Sequence, residues 1–221
     1  MESPREVGGV PGGAGERACA LFDLDGVLLD SVPAYTRAWH AWCLEWGVEE
    51  AAVWALAHGR RPRDVISMVG PGLEAGRALQ ALETLIAAEY KAVEAFPGAA
   101  DLLGRLWPGS WAIVTSGGRR LVAPAFRRLG LPLPTVLVSG DDVVAGKPDP
   151  TCYLIAAERL GARAEACIVV EDAPAGIRAA AAAGMATLAV ATTHAPEELG
   201  EAGEVHPSLA AAGRRLLQRM G

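Results

Sequence analysis

"ACALFDLDGVLLDS", residues 18–31, is the stretch that decides the fold. It starts as a short apolar run and then turns to carboxylates and a glycine, as a buried strand of a parallel sheet does at its end. Asp23 and Asp25 are two residues apart, so their side chains point to the same side of an extended backbone. Because ligands of open α/β sheets bind at the carboxyl ends of the strands, we expect a functional site at these two residues.

Four further apolar runs follow along the chain, and helical stretches separate them. The runs are SWAIVTS at 110–116, PTVLVSG at 134–140, EACIVVED at 165–172 and MATLAVA at 185–191. The helical stretches cover 119–129, 151–160 and 174–183. Strands that alternate with helices of about ten residues indicate βαβ units. We therefore predict an α/β fold, with a Rossmann-like parallel sheet and helices on both of its faces.

One interval interrupts this alternation. Residues 34–96 contain no apolar strand run, and their pattern is helical throughout. We predict that they form an inserted all-helical domain, here called the cap. The Rossmann-like catalytic core then comprises 18–33 and 97–221, and the Gly- and Pro-rich residues 1–17 are predicted to be a flexible tail.

The cap contains an aromatic stripe. Tyr35, Trp39, Trp42 and Trp46 follow one another at spacings of three and four residues, which places them on one face of a helix. Such a stripe is an interior packing surface more often than a platform for a ligand, and we favour packing.

Composition excludes several classes of protein. The net charge is −6, whereas a nucleic-acid-binding protein needs a clustered basic face. The four cysteines form no C-x-x-C pair, which argues against a zinc site and a disulfide framework. No apolar run reaches the roughly 18 residues of a membrane helix, and the start of the chain does not resemble a signal peptide. We expect a cytoplasmic protein, monomeric or weakly dimeric, that binds neither nucleic acid nor membranes.

The Asp23–Asp25 pair indicates a metal site. Two neighbouring carboxylates repel each other unless a cation intervenes, and Mg2+ is a hard cation that prefers oxygen ligands. The pair has a second interpretation when taken alone, because aspartates at strand ends also form caps and turns.

Two further motifs could hold an anion. IVTSGG, 113–118, ends an apolar run with Thr115 and Ser116, whose hydroxyls could bind phosphoryl oxygens; an ordinary helix N-cap is the alternative. AGKPDP, 145–150, carries Lys147, one of only two lysines in a chain with 18 arginines. Lys147 could supply a compact positive charge to an anion; the alternative is a solvated lysine in a turn.

A fourth motif is VVEDAPAGI, residues 169–177. Glu171 and Asp172 come directly after a predicted buried strand, and a helix is predicted to start at Pro174. Acidic residues at a helix start complement the helix dipole, which is the structural alternative. Yet this pair ends a strand of the same predicted sheet as Asp23, where metal ligands would gather.

In this order and with this insertion, the four motifs resemble those of the haloacid-dehalogenase-like hydrolase superfamily, in the subfamily that has a helical cap. The resemblance implies that Asp23 is the nucleophile that becomes an aspartyl phosphate, and that Asp25 is the general acid and base. Thr115 and Lys147 would hold the phosphoryl oxygens.

The same resemblance implies a ligand set for Mg2+. Asp23, the backbone carbonyl of Asp25, and Asp172 would hold the metal, with Glu171 acting directly or through water.

Substrate contacts are also implied. The loop "HGRR", residues 58–61, resembles a cap loop that reaches the active site in relatives acting on small sugar and polyol phosphates; a solvated loop is the alternative. The expected substrate-binding residues are Ser116, Gly117, His58, Gly59, Arg60 and Arg61. "TTHAPEEL" at 192–199 also looks like the sugar-phosphate and glycerol-phosphate phosphatases.

We therefore expect a Mg2+-dependent phosphatase that hydrolyses small phosphorylated sugars or polyols through an aspartyl-phosphate intermediate. The alternative is a β-phosphoglucomutase-like phosphosugar mutase, which shares the core, the cap and the motifs and differs in the fate of the phosphoenzyme. A phosphoglycolate-type phosphatase and a catalytically silent binding protein rank below these two. The sequence assigns no role to His194.

Overall fold

The segment before Asp23 is the central strand of a parallel sheet. The computed structural model describes residues 18–221, so the tail predicted for residues 1–17 lies outside the described residues. Within these residues the strands are β1 (Cys19–Phe22), β2 (Leu29–Asp30), β3 (Glu94–Ala95), β4 (Trp111–Val114), β5 (Val136–Val138), β6 (Cys167–Glu171), β7 (Ala186–Val190) and β8 (Glu204–His206). The α-helices of the same residues are α1 (Val32–Trp46), α2 (Glu50–Ala57), α3 (Pro62–Val69), α4 (Ala75–Glu89), α5 (Ala99–Arg105), α6 (Val122–Leu129), α7 (Thr151–Leu160), α8 (Pro174–Ala182) and α9 (Leu209–Met220).

Six of the described strands form the main sheet, in the order β5-β4-β1-β6-β7-β8, and every neighbouring pair is parallel. After β1 the chain builds β4 and β5 on one side, then crosses to β6, β7 and β8 on the other. The strand order therefore reverses at β1, and sheets of this type bind ligands in the crevice at that point. The predicted α/β class with a parallel sheet is confirmed.

The two faces of β1 pack against different helices. Ala20 and Phe22 belong to a core that includes α5, α6 and α9, whereas Cys19 and Leu21 belong to a core that includes α7 and α8. Successive side chains of a strand point to opposite faces, which explains this division. All four side chains are buried, as expected for the central strand of a parallel sheet with helices on both faces.

Helices α1 to α4 lie between β2 and β3, and these two short strands pair antiparallel. The chain therefore leaves the core and returns to it at adjacent points. The prediction that residues 34–96 are helical throughout is wrong at their end, where β3 follows a 3₁₀ turn at Tyr90–Ala92. A strand of two residues is too short to show a period of its own, and its pairing with β2 determines it.

The edge strand β8 was also not predicted. Its three residues are partly buried or exposed, so it lacks the apolar run that marks the central strands. The helix expected at 119–129 begins at Val122, after a 3₁₀ turn. Among the described residues, no helix is both long enough and apolar enough to cross a membrane.

The aromatic stripe of the cap packs α1 against α4. The Trp42 ring stacks on Trp46, with centroids 6.0 Å apart, and meets Trp39 edge to face at 5.3 Å. The Trp42 side chain is fully buried, and its Nε1 donates a 2.8 Å hydrogen bond to the carbonyl oxygen of Ala78 in α4. The indole thus fills the helix interface and pairs its polar atom there.

We expect Trp42→Ala to lower the free energy of unfolding by about 3–5 kcal/mol, because it leaves a cavity between α1 and α4 and removes the hydrogen bond from the indole to Ala78. Trp107→Ala is the matched control: this indole is 80% exposed, so its loss should change stability by less than about 0.5 kcal/mol. Urea unfolding followed by circular dichroism measures both. Similar losses in the two variants would contradict the packing role of Trp42.

Candidate active site

Three neighbouring strands of the main sheet end at one place. Asp23 follows β1, Thr115 follows β4, and Glu171 is the last residue of β6. The backbone N–H of Asp23 donates to the carbonyl of Val170 at 3.0 Å, and that of Thr115 donates to the carbonyl of Val138 at 2.9 Å. These bonds continue the sheet ladders, so the sheet fixes the backbone from which the side chains project.

Lys147 connects the three strand ends. Its Nζ donates to Asp23 Oδ1 at 2.6 Å, to Glu171 Oε1 at 2.7 Å, and to the carbonyl of Val114 at 3.2 Å. The side chain is only 1% exposed. Burial by itself would lower the pKa of Lys147, but the Asp23 and Glu171 carboxylates raise that pKa well above its ordinary value. The ammonium group therefore stays charged between two carboxylates.

Each carboxylate oxygen of Glu171 accepts two hydrogen bonds. Its Oε1 accepts from Lys147 and from the Tyr153 hydroxyl at 3.0 Å, and its Oε2 accepts from the N–H groups of Asp172 at 2.8 Å and Ala173 at 3.0 Å. Burial opposes ionisation, yet Lys147 and these donors hold the pKa of Glu171 below its ordinary value. The sequence predicts that Glu171 acts on a metal directly or through water. The four hydrogen bonds favour a role as the fixed anion beside Lys147 over direct contact with a metal.

A group of carboxylates fits a divalent cation. Asp23, Glu171 and Asp172 each offer one oxygen, and these oxygens lie within 4.8 Å of one another in buried positions. Asp172 Oδ2 also accepts from Thr193 Oγ1 at 2.5 Å. A Cβ atom at Gly26 would lie 2.2 Å from that oxygen, so only glycine allows the backbone to pass so close. A buried donor set made of oxygens alone suits a hard cation such as Mg2+.

The excess of negative charge among these residues also favours a bound cation. Burial raises the pKa of Asp23 to about 8, with Lys147 acting against it and Glu171 and Asp25 adding to it. Burial and the charges of Glu171 and Asp23 also raise the pKa of Asp172 well above its ordinary value. One ammonium group does not balance these carboxylates. A cation beside Asp23 and Asp172 would allow both to ionise.

Asp25 is oriented by hydroxyl groups. Its Oδ1 accepts from the Tyr90 hydroxyl at 2.7 Å, whereas its Oδ2 lies 3.3 Å from Thr115 Oγ1 and 3.5 Å from the Tyr35 hydroxyl. Burial raises the pKa of Asp25, which favours its protonated form. Sequence reasoning missed Tyr90, since no local pattern marks a contact between residues 65 positions apart.

The loop after β4 contacts the cap loop. Ser116 Oγ donates to the carbonyl oxygen of Gly59 at 2.8 Å, and the N–H of Gly117 donates to Thr115 Oγ1 at 2.9 Å. Gly59 has a φ of +72°, and a Cβ atom there would lie 2.9 Å from the Cβ of Ala173. Glycine is therefore required where the cap loop lies against the core.

A cavity lies over the strand ends, between the core and the cap. The predicted site residues that line it are Asp23, Asp25, Ser116, Gly117, Asp172, His58, Gly59 and Arg60. Tyr35, Trp39 and Trp54 of the cap line it as well. The cavity therefore has carboxylates and hydroxyls at its floor and aromatic rings at its side.

Arg61 does not line this cavity. All three of its guanidinium nitrogens have partners: the Asp64 carboxylate at 2.7 Å, and the carbonyl oxygens of Gly140 at 3.4 Å, Val143 at 2.7 Å and Val144 at 2.9 Å. The predicted substrate contact of Arg61 therefore finds no support in its position. Its guanidinium instead ties the cap to the loop that precedes Lys147.

His194 contacts the cap loop beside the carboxylates. Its ring meets that of His58 edge to face, with centroids 5.0 Å apart. Its Nδ1 lies 3.0 Å from the carbonyl oxygen of Asp172 and 2.8 Å from Thr193 Oγ1. Burial lowers the pKa of His58, which favours its neutral form.

Comparison with known proteins agrees with this geometry. Residues 18–184 match the family model described as haloacid dehalogenase-like hydrolase. The chain belongs to this family. Hexitol phosphatase A of Escherichia coli (strain K12) is 40% identical to this hydrolase over 191 residues, which cover 84% of this chain and 87% of the relative. 2-Deoxyglucose-6-phosphate phosphatase 1 of Saccharomyces cerevisiae is 34% identical over 205 residues, which cover 83% of each chain.

One solved structure with the same fold is named as a mutase, whereas the two relatives above are named as phosphatases. β-Phosphoglucomutase from Clostridium difficile superimposes on this hydrolase with a TM-score of 0.79, over 92% of this chain and 97% of the other. At 20% identity, this likeness shows the fold alone.

The two neighbouring arginines of the cap loop lead to a prediction about stability. Arg61→Ala should lower the free energy of unfolding by about 2–4 kcal/mol, because it leaves buried carbonyl oxygens without a donor. Arg60→Ala is the matched control and should change it by less than about 0.5 kcal/mol, since Arg60 lines the cavity. Thermal and urea unfolding measure both. If Arg61→Ala leaves stability unchanged and only raises KM, the tie between cap and core is refuted.

Proposed function

We propose that this hydrolase is a Mg2+-dependent phosphatase that releases phosphate from small phosphorylated sugars or polyols through an aspartyl phosphate on Asp23. The observation that carries the proposal is the buried Lys147, which bonds Asp23, at the floor of the cavity beside Asp25, and the fully buried Glu171 behind it. The similarity to hexitol phosphatase A and to 2-deoxyglucose-6-phosphate phosphatase 1 supports this class of substrate.

The first step forms a covalent intermediate. Lys147 holds Oδ1 of Asp23, and we assign the attack on phosphorus to the other oxygen, Oδ2. The bond between phosphorus and Asp23 forms as the bond to the leaving oxygen breaks, and Asp25 gives its proton to that oxygen. Lys147 and Thr115 stabilise the charge on the remaining phosphoryl oxygens.

The second step returns the site to its starting state. Asp25, now a carboxylate, takes a proton from the water molecule that attacks the phosphoenzyme. The bond between phosphorus and Asp23 breaks, and inorganic phosphate leaves. Asp25 therefore alternates between acid and base, and each turnover restores its proton.

The proposed metal site uses oxygens only. Asp23, Asp172 and the backbone carbonyl of Asp25 would hold Mg2+, which when bound would offset the negative charge that the carboxylates and the phosphoryl group bring together. Glu171 contributes through Lys147, since its own oxygens accept four hydrogen bonds.

The organic part of the substrate would lie under the cap. His58 and Arg60 line that side of the cavity and could contact hydroxyl groups. Trp39 and Trp54 line it too, and they add apolar surface beside these polar groups. This mixture of a few polar groups and aromatic rings supports a sugar or polyol as substrate.

The nucleophile can be tested by a nearly isosteric change. Asp23→Asn should reduce phosphate release by at least about a thousandfold, because an amide oxygen cannot form the acyl phosphate. The fold should persist, since the amide still offers Lys147 an acceptor. The matched control is Asp101→Asn, whose side chain is 78% exposed and does not line the cavity. Normal turnover by folded Asp23→Asn would refute the covalent mechanism.

Metal dependence and the fate of the phosphoryl group can be tested together. Excess chelator should abolish activity and Mg2+ should restore it, because the crowded carboxylates need a cation. With Mg2+, hexose and hexitol monophosphates should release inorganic phosphate steadily without a bisphosphate primer. Phosphate release and sugar phosphate isomers are measured in the same reaction.

Three other outcomes would contradict this prediction. Conversion of β-glucose 1-phosphate to glucose 6-phosphate, stimulated by the 1,6-bisphosphate and with little free phosphate, would identify a mutase. Neither reaction would occur in a silent binding protein. Full activity in excess chelator would show that the metal has been assigned wrongly.

A further inference from the structure

The Tyr90 hydroxyl makes the shortest hydrogen bond that the described residues offer to the Asp25 carboxylate. Its distance to Oδ1 is 2.7 Å, compared with 3.3 Å from Thr115 and 3.5 Å from Tyr35 to Oδ2. An O–H···O bond of 2.7 Å has ordinary strong geometry, whereas 3.5 Å is beyond the usual range. One oxygen of Asp25 is therefore held firmly and the other only loosely.

Tyr90 is itself fixed in place. It directly follows α4 and opens the 3₁₀ turn Tyr90–Ala92, and its own N–H donates to the carbonyl of Ile86. Its side chain is buried, and its ring meets that of Tyr35 edge to face with centroids 6.3 Å apart. The helix end and the packing of the ring together hold the hydroxyl beside Asp25.

The loosely held oxygen faces the reaction. Asp25 Oδ2 lies near Thr115, and a Cβ atom placed on Gly117 would be 3.4 Å from it. Gly117 lines the cavity, so Oδ2 is on the cavity side of the carboxyl group. Because Oδ1 already accepts a hydrogen bond from the Tyr90 hydroxyl, we assign the proton that Asp25 transfers to Oδ2.

We infer that Tyr90 is a positioning residue, which holds Oδ1 of Asp25 so that Oδ2 delivers its proton to the leaving oxygen of the substrate. The inference rests on the proposed function, because it assigns a support to the general acid of that reaction. Tyr90 is not among the residues that line the cavity, so we assign it an action through Asp25 alone. The loss of activity on removal of the Tyr90 hydroxyl should therefore depend on how much the leaving group needs a proton.

The test compares two leaving groups in one preparation of Tyr90→Phe, which removes a single hydroxyl. A sugar phosphate expels a basic alkoxide and needs the proton, whereas dinitrophenyl phosphate expels a stable phenolate and does not. The ratio kcat/KM reports the steps up to release of the leaving group, which are the steps that use the acid. We expect kcat/KM to fall at least about tenfold for the sugar phosphate and less than about twofold for the aryl phosphate.

Two tyrosine variants serve as matched controls. Tyr35→Phe removes the hydroxyl at 3.5 Å and should discriminate much less between the substrates. Tyr153→Phe removes a hydroxyl bonded to Glu171, and any loss should be equal for both substrates. The ratio of the two kcat/KM values is independent of how much protein is folded, so partial unfolding of Tyr90→Phe cannot imitate the result.

Two outcomes would overturn the inference. Equal losses on both substrates would make Tyr90 a structural residue of the site, and no loss on either would make its hydrogen bond irrelevant. If the unmodified protein hydrolyses neither substrate, the proposed function fails, and the inference that rests on it fails too.

Discussion

The rest of the site depends on one buried ion pair network, in which Lys147 lies between Asp23 and Glu171. An ammonium group out of contact with water is strongly destabilising unless carboxylates balance it, and removal of Lys147 would leave two buried carboxylates without their positive partner. The two carboxylates belong to the ends of different strands, and Glu171 is further held by backbone N–H groups of the following loop. The contacts of Lys147 with both carboxylates thus hold the two strand ends in fixed relative positions. The same contacts orient the Asp23 side chain.

The meeting of the motifs at one edge of the sheet could be predicted from the sequence, for a physical reason. Each motif ends or follows an apolar run, and the ends of parallel strands meet at the same edge of a sheet. That rule was sufficient to place Asp23, Thr115 and Asp172 together. It could not find β3 or β8, because a short strand with little apolar surface exists through its pairing and not through its own pattern. The contact of Tyr90 with Asp25 depends in the same way on how the cap folds back.

In the cap loop, residue type alone could not predict which of two neighbouring arginines lines the cavity. Arg60 and Arg61 are the same residue type in the same motif, yet Arg60 lines the cavity and Arg61 is bonded to the loop before Lys147. Arg61 has an extended backbone, with φ −73° and ψ 139°. Adjacent side chains on such a backbone project in different directions. Only the direction of the chain at this point, set by the start of α3 at Pro62, separates the two arginines.

The pairing of β2 with β3 brings the two ends of the cap onto adjacent strands. A segment with such closely spaced ends can be replaced by a longer or shorter one without stretching the chain, since the distance to be closed stays the same. If the cap contacts the substrate as proposed above, exchange of this cassette between members of the family would change the substrate contacts and leave the strand-end residues of the recipient in place. Tyr35 and Tyr90 limit that exchange, because both belong to the cassette and both reach Asp25. A chimera would keep its acid in place only if the incoming cap supplied a hydroxyl to the same carboxylate.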